Sequence, residues 1–105
     1  MSADNSKNAA SGREDIELAS FFKMLSDPTR LKIIRCLMVE DICVNDIASR
    51  LNMEQSAVSH QLRVLKTARI ADCRRSGKSI YYTLTDENIR SIIQSAEKNF
   101  KTDKR

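Results

Sequence analysis

Arg63, Lys66, Arg69, Arg74, Arg75 and Lys78 crowd residues 55–80 against a single acid, Asp72. Six minus one leaves +5 in that stretch while the whole chain carries +4, so the remainder sums to −1. A concentrated cationic surface is chemistry for polyanions, phosphodiesters above all, and says more than net charge alone. The other reactive side chains are few: thiols at Cys36, Cys43 and Cys73, and one imidazole, His60. A lone imidazole builds no metal site unaided. The three thiols would hold a thiophilic metal or metalloid only if all converge. An odd number of cysteines without framework spacing indicates reduced thiols and a cytoplasmic location.

Several classes are set aside by what these residues lack. The chain has no Gly-rich phosphate loop, no paired acid–base cluster and no nucleophile placed to meet a histidine, so no enzyme is indicated. An acidic membrane surface also attracts basic charge, but it requires a basic helix with a free apolar face, and here the core claims that face. No apolar run approaches the roughly 18 residues needed to span a bilayer.

The elements that position these residues follow from periodicity. Residues 1–12 are small and polar, a disordered tail without the apolar segment of a secretory signal. One domain, 13–100, follows, and 101–105 form a frayed basic end. Leu18, Phe21, Phe22 and Leu25 recur at helical spacing and predict a helix from about Arg13 to Leu25. Asp27 can cap the next helix with Pro28 at its first position. That helix runs to about Val39 with Leu31, Ile34, Leu37 and Met38 inward. A short third helix spans Cys43 to Leu51 with Val44, Ile47, Ala48 and Leu51 buried, and Asn52 suits the turn after it. A fourth, about Gln55 to Ala68, turns Ala57, Val58, Leu62 and Leu65 inward. Ile70–Arg75 and Ser79–Thr85 alternate as strands joined at Ser76-Gly77-Lys78. A last helix, about Asp86 to Phe100, carries Ile89, Ile92, Ile93, Ala96 and Phe100 on one side.

The fold class is therefore mostly α with a two-stranded β-wing, in the order α-α-α-α-β-β-α. Three segments, SDPTRLKII at 26–34, DICVNDIASRLNMEQSAVSHQLRVLK at 41–66 and RRSGKSIYYTL at 74–84, make the chain similar to the ArsR/SmtB family of bacterial winged-helix repressors. The resemblance covers about residues 16–100. It implies a winged helix-turn-helix homodimer, paired through its terminal helices, that represses a promoter and leaves DNA when an inducer binds. The apolar faces at Leu18, Phe22, Ile89, Ile93 and Phe100 would form the dimer interface.

A recognition helix shows its N-terminal and solvent-facing positions to the major groove. On the fourth helix those are Gln55, Ser56, Ser59, His60 and Arg63. Gln55 suits an adenine edge, and Arg63 a guanine or a phosphate. Arg74, Arg75 and Lys78 would meet phosphate from the wing, where Gly77 lets the hairpin turn tightly. The expected partners are a second copy and double-stranded operator DNA with half-sites about 10 base pairs apart or a small multiple.

The resemblance also implies sensor positions, and this chain departs from them. Where family members carry a Cys-Val-Cys-Asp run for soft metals, this chain has Cys43-Val44-Asn45-Asp46. Where others place Asp-x-His and His-x-x-His for zinc, Asp86 remains but the matching positions are Asn88, Asn99 and Thr102. A dithiol switch would pair a second-helix cysteine with one in the last helix, which has none, and Cys36 serves as a small core hydrophobe. No cofactor is certain. The inducer stays open between a thiophilic metal or metalloid at Cys43, Cys36 and Cys73 and a thiol-reactive species. Two alternatives stand beside it: a degenerate sensor acting without metal, and a winged-helix protein-interaction module.

Overall fold

Asp27 and Pro28 organise the start of the molecule as their types require. The structure, a computed structural model, describes residues 12–101. The tail expected over 1–12 lies outside the described residues except for Gly12, which opens the first helix, and the basic end lies outside them beyond Lys101. Helix α1 covers Gly12–Leu25 and α2 covers Pro28–Val39. The Asp27 carboxylate accepts the Arg30 backbone N–H at 2.9 Å, satisfying a donor that the first turn leaves open. Arg30 Nε donates to the Met24 carbonyl at 3.0 Å, which caps the end of α1.

The strands and remaining helices follow as β1 Ile42–Cys43, α3 Val44–Leu51, α4 Gln55–Thr67, β2 Ala71–Ser76, β3 Ser79–Leu84 and α5 Glu87–Lys101. The sheet is three-stranded and antiparallel in the order β1-β3-β2. The expected two-stranded wing is β2 and β3, and β1 adds a third strand that the sequence does not signal. Cys43, expected as the first residue of the third helix, closes that strand and stands as the extended residue capping α3. A two-residue strand leaves no periodicity to read.

Helices α3 and α4 end in the same way. Met53 and Asn52 donate to the carbonyls of Ala48 and Ser49, and Ile70 and Arg69 donate to those of Leu65 and Lys66. Each is a Schellman arrangement with one left-handed residue, Asn52 at φ 55° and Arg69 at φ 63°. Asparagine tolerates that conformation, whereas arginine stands where glycine is usual. In the β2–β3 hairpin Ser76 pairs with Ser79, which leaves a two-residue turn, and Gly77 supplies its positive φ of 63°.

The core gathers Ile33, Ile34 and Leu37 of α2, Ile47 and Ala48 of α3, Val58, Leu62 and Leu65 of α4, and Ile70. Ile33 was not among the expected inward residues, and Ala57, which was, is exposed. The α4 stripe is set by Val58, Leu62 and Leu65, and Ala57 sits about 100° around the helix from Val58. Helix α5 places Ile89 and Ile93 in this same core, while Phe100 stays exposed. No residue of α1 is buried.

Replacing Arg69 with glycine should stabilise the protein by about 0.5–1 kcal/mol, since the left-handed cost to arginine exceeds the entropy glycine adds to the unfolded chain. Thermal unfolding should show a rise of a few degrees; a lower midpoint would contradict the assigned conformation.

Candidate nucleic-acid interface

The buried stripe of α4 decides which of its side chains face out. With Val58, Leu62 and Leu65 inward, Gln55, Ser56, His60 and Arg63 are exposed and Ser59 is half-buried. Ser56, Ser59, His60 and Arg63 therefore lie away from the stripe, and Gln55, in line with Val58 and Leu62, is exposed as the first residue of the helix. Spacings of three and four put Ser56, Ser59, His60 and Arg63 on neighbouring turns. Gln61 is different: its Oε1 is buried with no hydrogen-bond partner among the described residues.

The hairpin register sorts the wing residues onto two faces. Directly paired residues point the same way in an antiparallel ladder. Ala71, Cys73 and Arg75 therefore share a face with Leu84, Tyr82, Ile80 and Ile42, and Arg74 shares the other with Tyr81 and Cys43. Ala71, Leu84 and Ile42 are buried, so the first face is the one on which the helices pack. Arg75 and Lys78 are exposed at the end of the hairpin. Among the described residues no ion pair engages Arg63, Arg75 or Lys78. Their charges are available to a polyanion.

Arg74 is occupied instead. Its guanidinium donates from Nε and Nη2 to Asp41 Oδ2 at 3.4 and 3.1 Å and lies 5.5 Å from the Tyr81 ring centroid. A hydrogen bond from the Thr83 side chain, and then the Arg74 guanidinium, hold the Asp41 carboxyl below its ordinary value of 3.8. A depressed carboxyl favours the fold above that ordinary value, and the benefit fades as pH falls through the lowered one. Both partners are substantially exposed, so the contribution to stability is small.

The cysteines do not converge. Cys43 and Cys73 lie on opposite faces of the sheet with β3 between them. Two strand spacings separate them by roughly 10 Å, beyond the ~7 Å that a disulfide spans. Cys36 is buried in the core, and burial raises its pKa, which keeps it a thiol. The condition for a joint site, that Cys36, Cys43 and Cys73 converge, is not met. Among the described residues no three His, Cys, Asp or Glu side chains stand together. Cys43 Sγ lies 3.4 Å from Asp46 Oδ2, and one thiol beside one carboxylate is a thin donor set for a soft ion. Among the described residues of one chain no donor set fits a resident metal.

Lys66 Nζ donates to Cys73 Sγ at 3.2 Å, and that hydrogen bond raises the lysine's pKa. The contact ties the last turn of α4 to β2. Sequence reasoning missed it, along with the Arg74–Asp41 pair; in each case the partners are close only once the sheet register is known.

Helices α1 and α5 carry four of the exposed large apolar side chains, with Val39 and Ile80 standing elsewhere. Ile16, Leu18 and Phe22 are 69, 56 and 50% exposed and Phe100 is 68% exposed. Phe22, Leu25 and Leu31 face Ile92, Ile93, Ala96 and Phe100 across a groove of about 320 Å³, rimmed by the Arg35–Glu97 ion pair. Of the residues expected at a dimer interface, Leu18, Phe22 and Phe100 are available for one. Ile89 and Ile93 are already packed within the chain, because they fall on the side of α5 turned to the core.

Comparison with known proteins adds an independent line. Residues 27–72 match the family model described as bacterial regulatory protein, arsR family. A transcriptional repressor SmtB homolog of Synechocystis is 40% identical over 78 residues, covering 74% of this chain. The chain spans only 59% of that relative's length. A cadmium resistance transcriptional regulatory protein CadC homolog of Staphylococcus aureus is 36% identical over 94 residues, 89% of this chain and 78% of the relative. The solution structure of apo-NmtR superposes with a TM-score of 0.77 at 36% identity, covering 86% of this chain and 76% of that one.

Iodoacetamide labelling of the folded protein, read by mass spectrometry, should modify Cys43 and Cys73 well before Cys36. Equal labelling of all three would contradict the buried placement of Cys36.

Proposed function

Since the chain belongs to the arsR family of bacterial regulatory proteins, we propose that it is a homodimeric repressor that binds an inverted-repeat operator and leaves it on meeting an inducer. It belongs among DNA-binding transcriptional regulators and not among enzymes. The observation that carries this reading is the division of α4 into a buried stripe and an exposed polar face, set beside a hairpin whose Arg75 and Lys78 engage in no ion pair among the described residues.

Gln55, Ser56, Ser59, His60 and Arg63 enter the major groove. Serines let the helix approach closely, Gln55 reads an adenine edge and Arg63 a guanine edge or a phosphate. Arg75 and Lys78 meet the backbone beside it. Phosphate contacts set register and give most of the salt dependence, while base contacts select the operator. Pairing through α1 and α5 is supported by the exposed Ile16, Leu18, Phe22 and Phe100, which one chain of this size leaves uncovered. A cytoplasmic location is the one this role requires, and no helix among the described residues is long and apolar enough to cross a membrane.

The sensor reading rests on the cysteines. A thiol-reactive species acting at Cys43 or Cys73 fits a chain whose thiols are separated, better than a chelated metal or metalloid does. Separation of the thiols equally supports a regulator with a degenerate sensor. Titrating the promoter complex with cadmium, arsenite, zinc and peroxide separates the two: release that Cys43→Ser or Cys73→Ser abolishes supports sensing, and no release supports the degenerate form.

Arg63→Ala and Lys78→Ala should each weaken promoter binding and reduce the slope of log K against log salt by about 0.9 for every phosphate no longer neutralised, with unfolding unchanged. Wild-type affinity and slope in both would refute the groove-and-wing reading. Phe22→Asp should turn a dimer into monomers in sedimentation, because an unpaired carboxylate buried at an interface costs several kcal/mol. A dimeric variant would refute the terminal-helix interface.

A further inference from the structure

The outer face of the sheet carries an interaction that the basic-cluster reading does not anticipate. Arg74 stands on β2, and Asp41 stands one residue ahead of β1, at the far edge of the order β1-β3-β2. To reach it, the side chain crosses β3 beside Tyr81 and donates twice to Asp41 Oδ2, at 3.4 and 3.1 Å. A nearer acid was available. Asp72 lies two residues away on the same face of the same strand, but its carboxylate accepts the Cys73 backbone N–H at 2.8 Å. Asp41 is also held from a third side, by the Thr83 side chain.

Arg74 and Arg75 are neighbours in sequence with opposite fates. The register turns Arg75 to the face that carries the helices, and Arg74 to the other. Asp41 leads through Ile42–Cys43 directly into α3, the first helix of the helix-turn-helix. The Arg74–Asp41 pair therefore joins the wing to the start of that unit across the middle strand of the sheet.

We propose that Arg74 is a positioning residue, a strap from β2 over Tyr81 to Asp41 that sets the angle of the wing against the helix-turn-helix, and is not one of the phosphate-binding residues. The proposal rests on the reading of the hairpin as a DNA-binding wing. An ion pair this exposed adds little to folding, so its effect falls on orientation. A guanidinium suits the place because its planar fork can lie over the tyrosine while two of its nitrogens donate to one carboxylate; lysine keeps the charge but not that fixed geometry.

The two roles predict opposite signs. If Arg74 is the strap, Asp41 helps DNA binding although it is an anion beside a cationic surface. If Arg74 binds phosphate, Asp41 competes with DNA for it. Promoter affinity is to be measured across a salt series for wild type, Arg74→Gln, Arg74→Lys, Asp41→Asn and the Arg74→Gln/Asp41→Asn double variant, which keeps the net charge. Lys78→Gln reports on the wing itself, and thermal unfolding checks each variant.

The expected result is weaker binding by Arg74→Gln, Arg74→Lys and Asp41→Asn alike, roughly two- to twentyfold over the two copies of a dimer. The double variant should be no worse than the weaker single one, and the salt slopes should stay at the wild-type value. Four outcomes would each overturn the strap: tighter binding by Asp41→Asn, a slope in Arg74→Gln reduced by about 0.9 per phosphate freed, wild-type affinity in Arg74→Lys, or unchanged affinity in both Arg74→Gln and Asp41→Asn. A wild-type slope in Lys78→Gln would instead refute the wing reading, and the strap would fall with it.

Discussion

Val58, Leu62 and Leu65 are the pivot of the whole arrangement. They are fully buried against the isoleucines of α2 and α3, and a helix allows no other use of the positions between them. Once that stripe is fixed, Ser56, His60 and Arg63 must face outward, while Gln55, in line with Val58 and Leu62, is exposed because it opens the helix at the edge of the core. The polar face is thus a consequence of core packing, held by side chains that never touch a ligand. The same packing extends into the sheet, since Ile70 and Ala71 follow α4 directly into the core, and Lys66 donates to Cys73 at the junction. Helix α4 is consequently packed directly against the base of the hairpin.

A second constraint comes from size. The 90 described residues have little interior to share among five helices and a sheet. Helices α2, α3 and α4 take most of it, with Ile89 and Ile93 of α5. Helix α1 has no fully buried residue, though Phe21, Met24 and Leu25 pack against the core, and Ile16, Leu18, Phe22 and Phe100 remain open to water. Large apolar side chains clustered on two helices are the kind of surface that association covers, and the proposed pairing there would also place two α4 helices on one assembly.

Much of this was legible in the sequence where the signal was long or local. Helix α2 was placed at Pro28–Val39 by Asp27, Pro28 and its apolar period, and the hairpin by alternation and Gly77. Short or relational features were not legible. Strand β1 is two residues long, so its pairing with Tyr81 and Tyr82 depends on a strand about 40 positions later. Ile89 and Ile93 stand out as apolar, but periodicity identifies a face without saying whether the chain or a partner covers it. Arg74 and Arg75 look equivalent in a run of charge, and only the register separates them. The thiols likewise gave no hint that a sheet divides Cys43 from Cys73.

The most direct test of the central claim is a hydroxyl-radical footprint of the protein on its own promoter. Two copies of one helix-and-wing unit should protect two backbone segments on the same side of the duplex, centred about one helical turn or a small multiple apart. A single protected segment, protection on opposite sides, or no protection at saturating protein would contradict it.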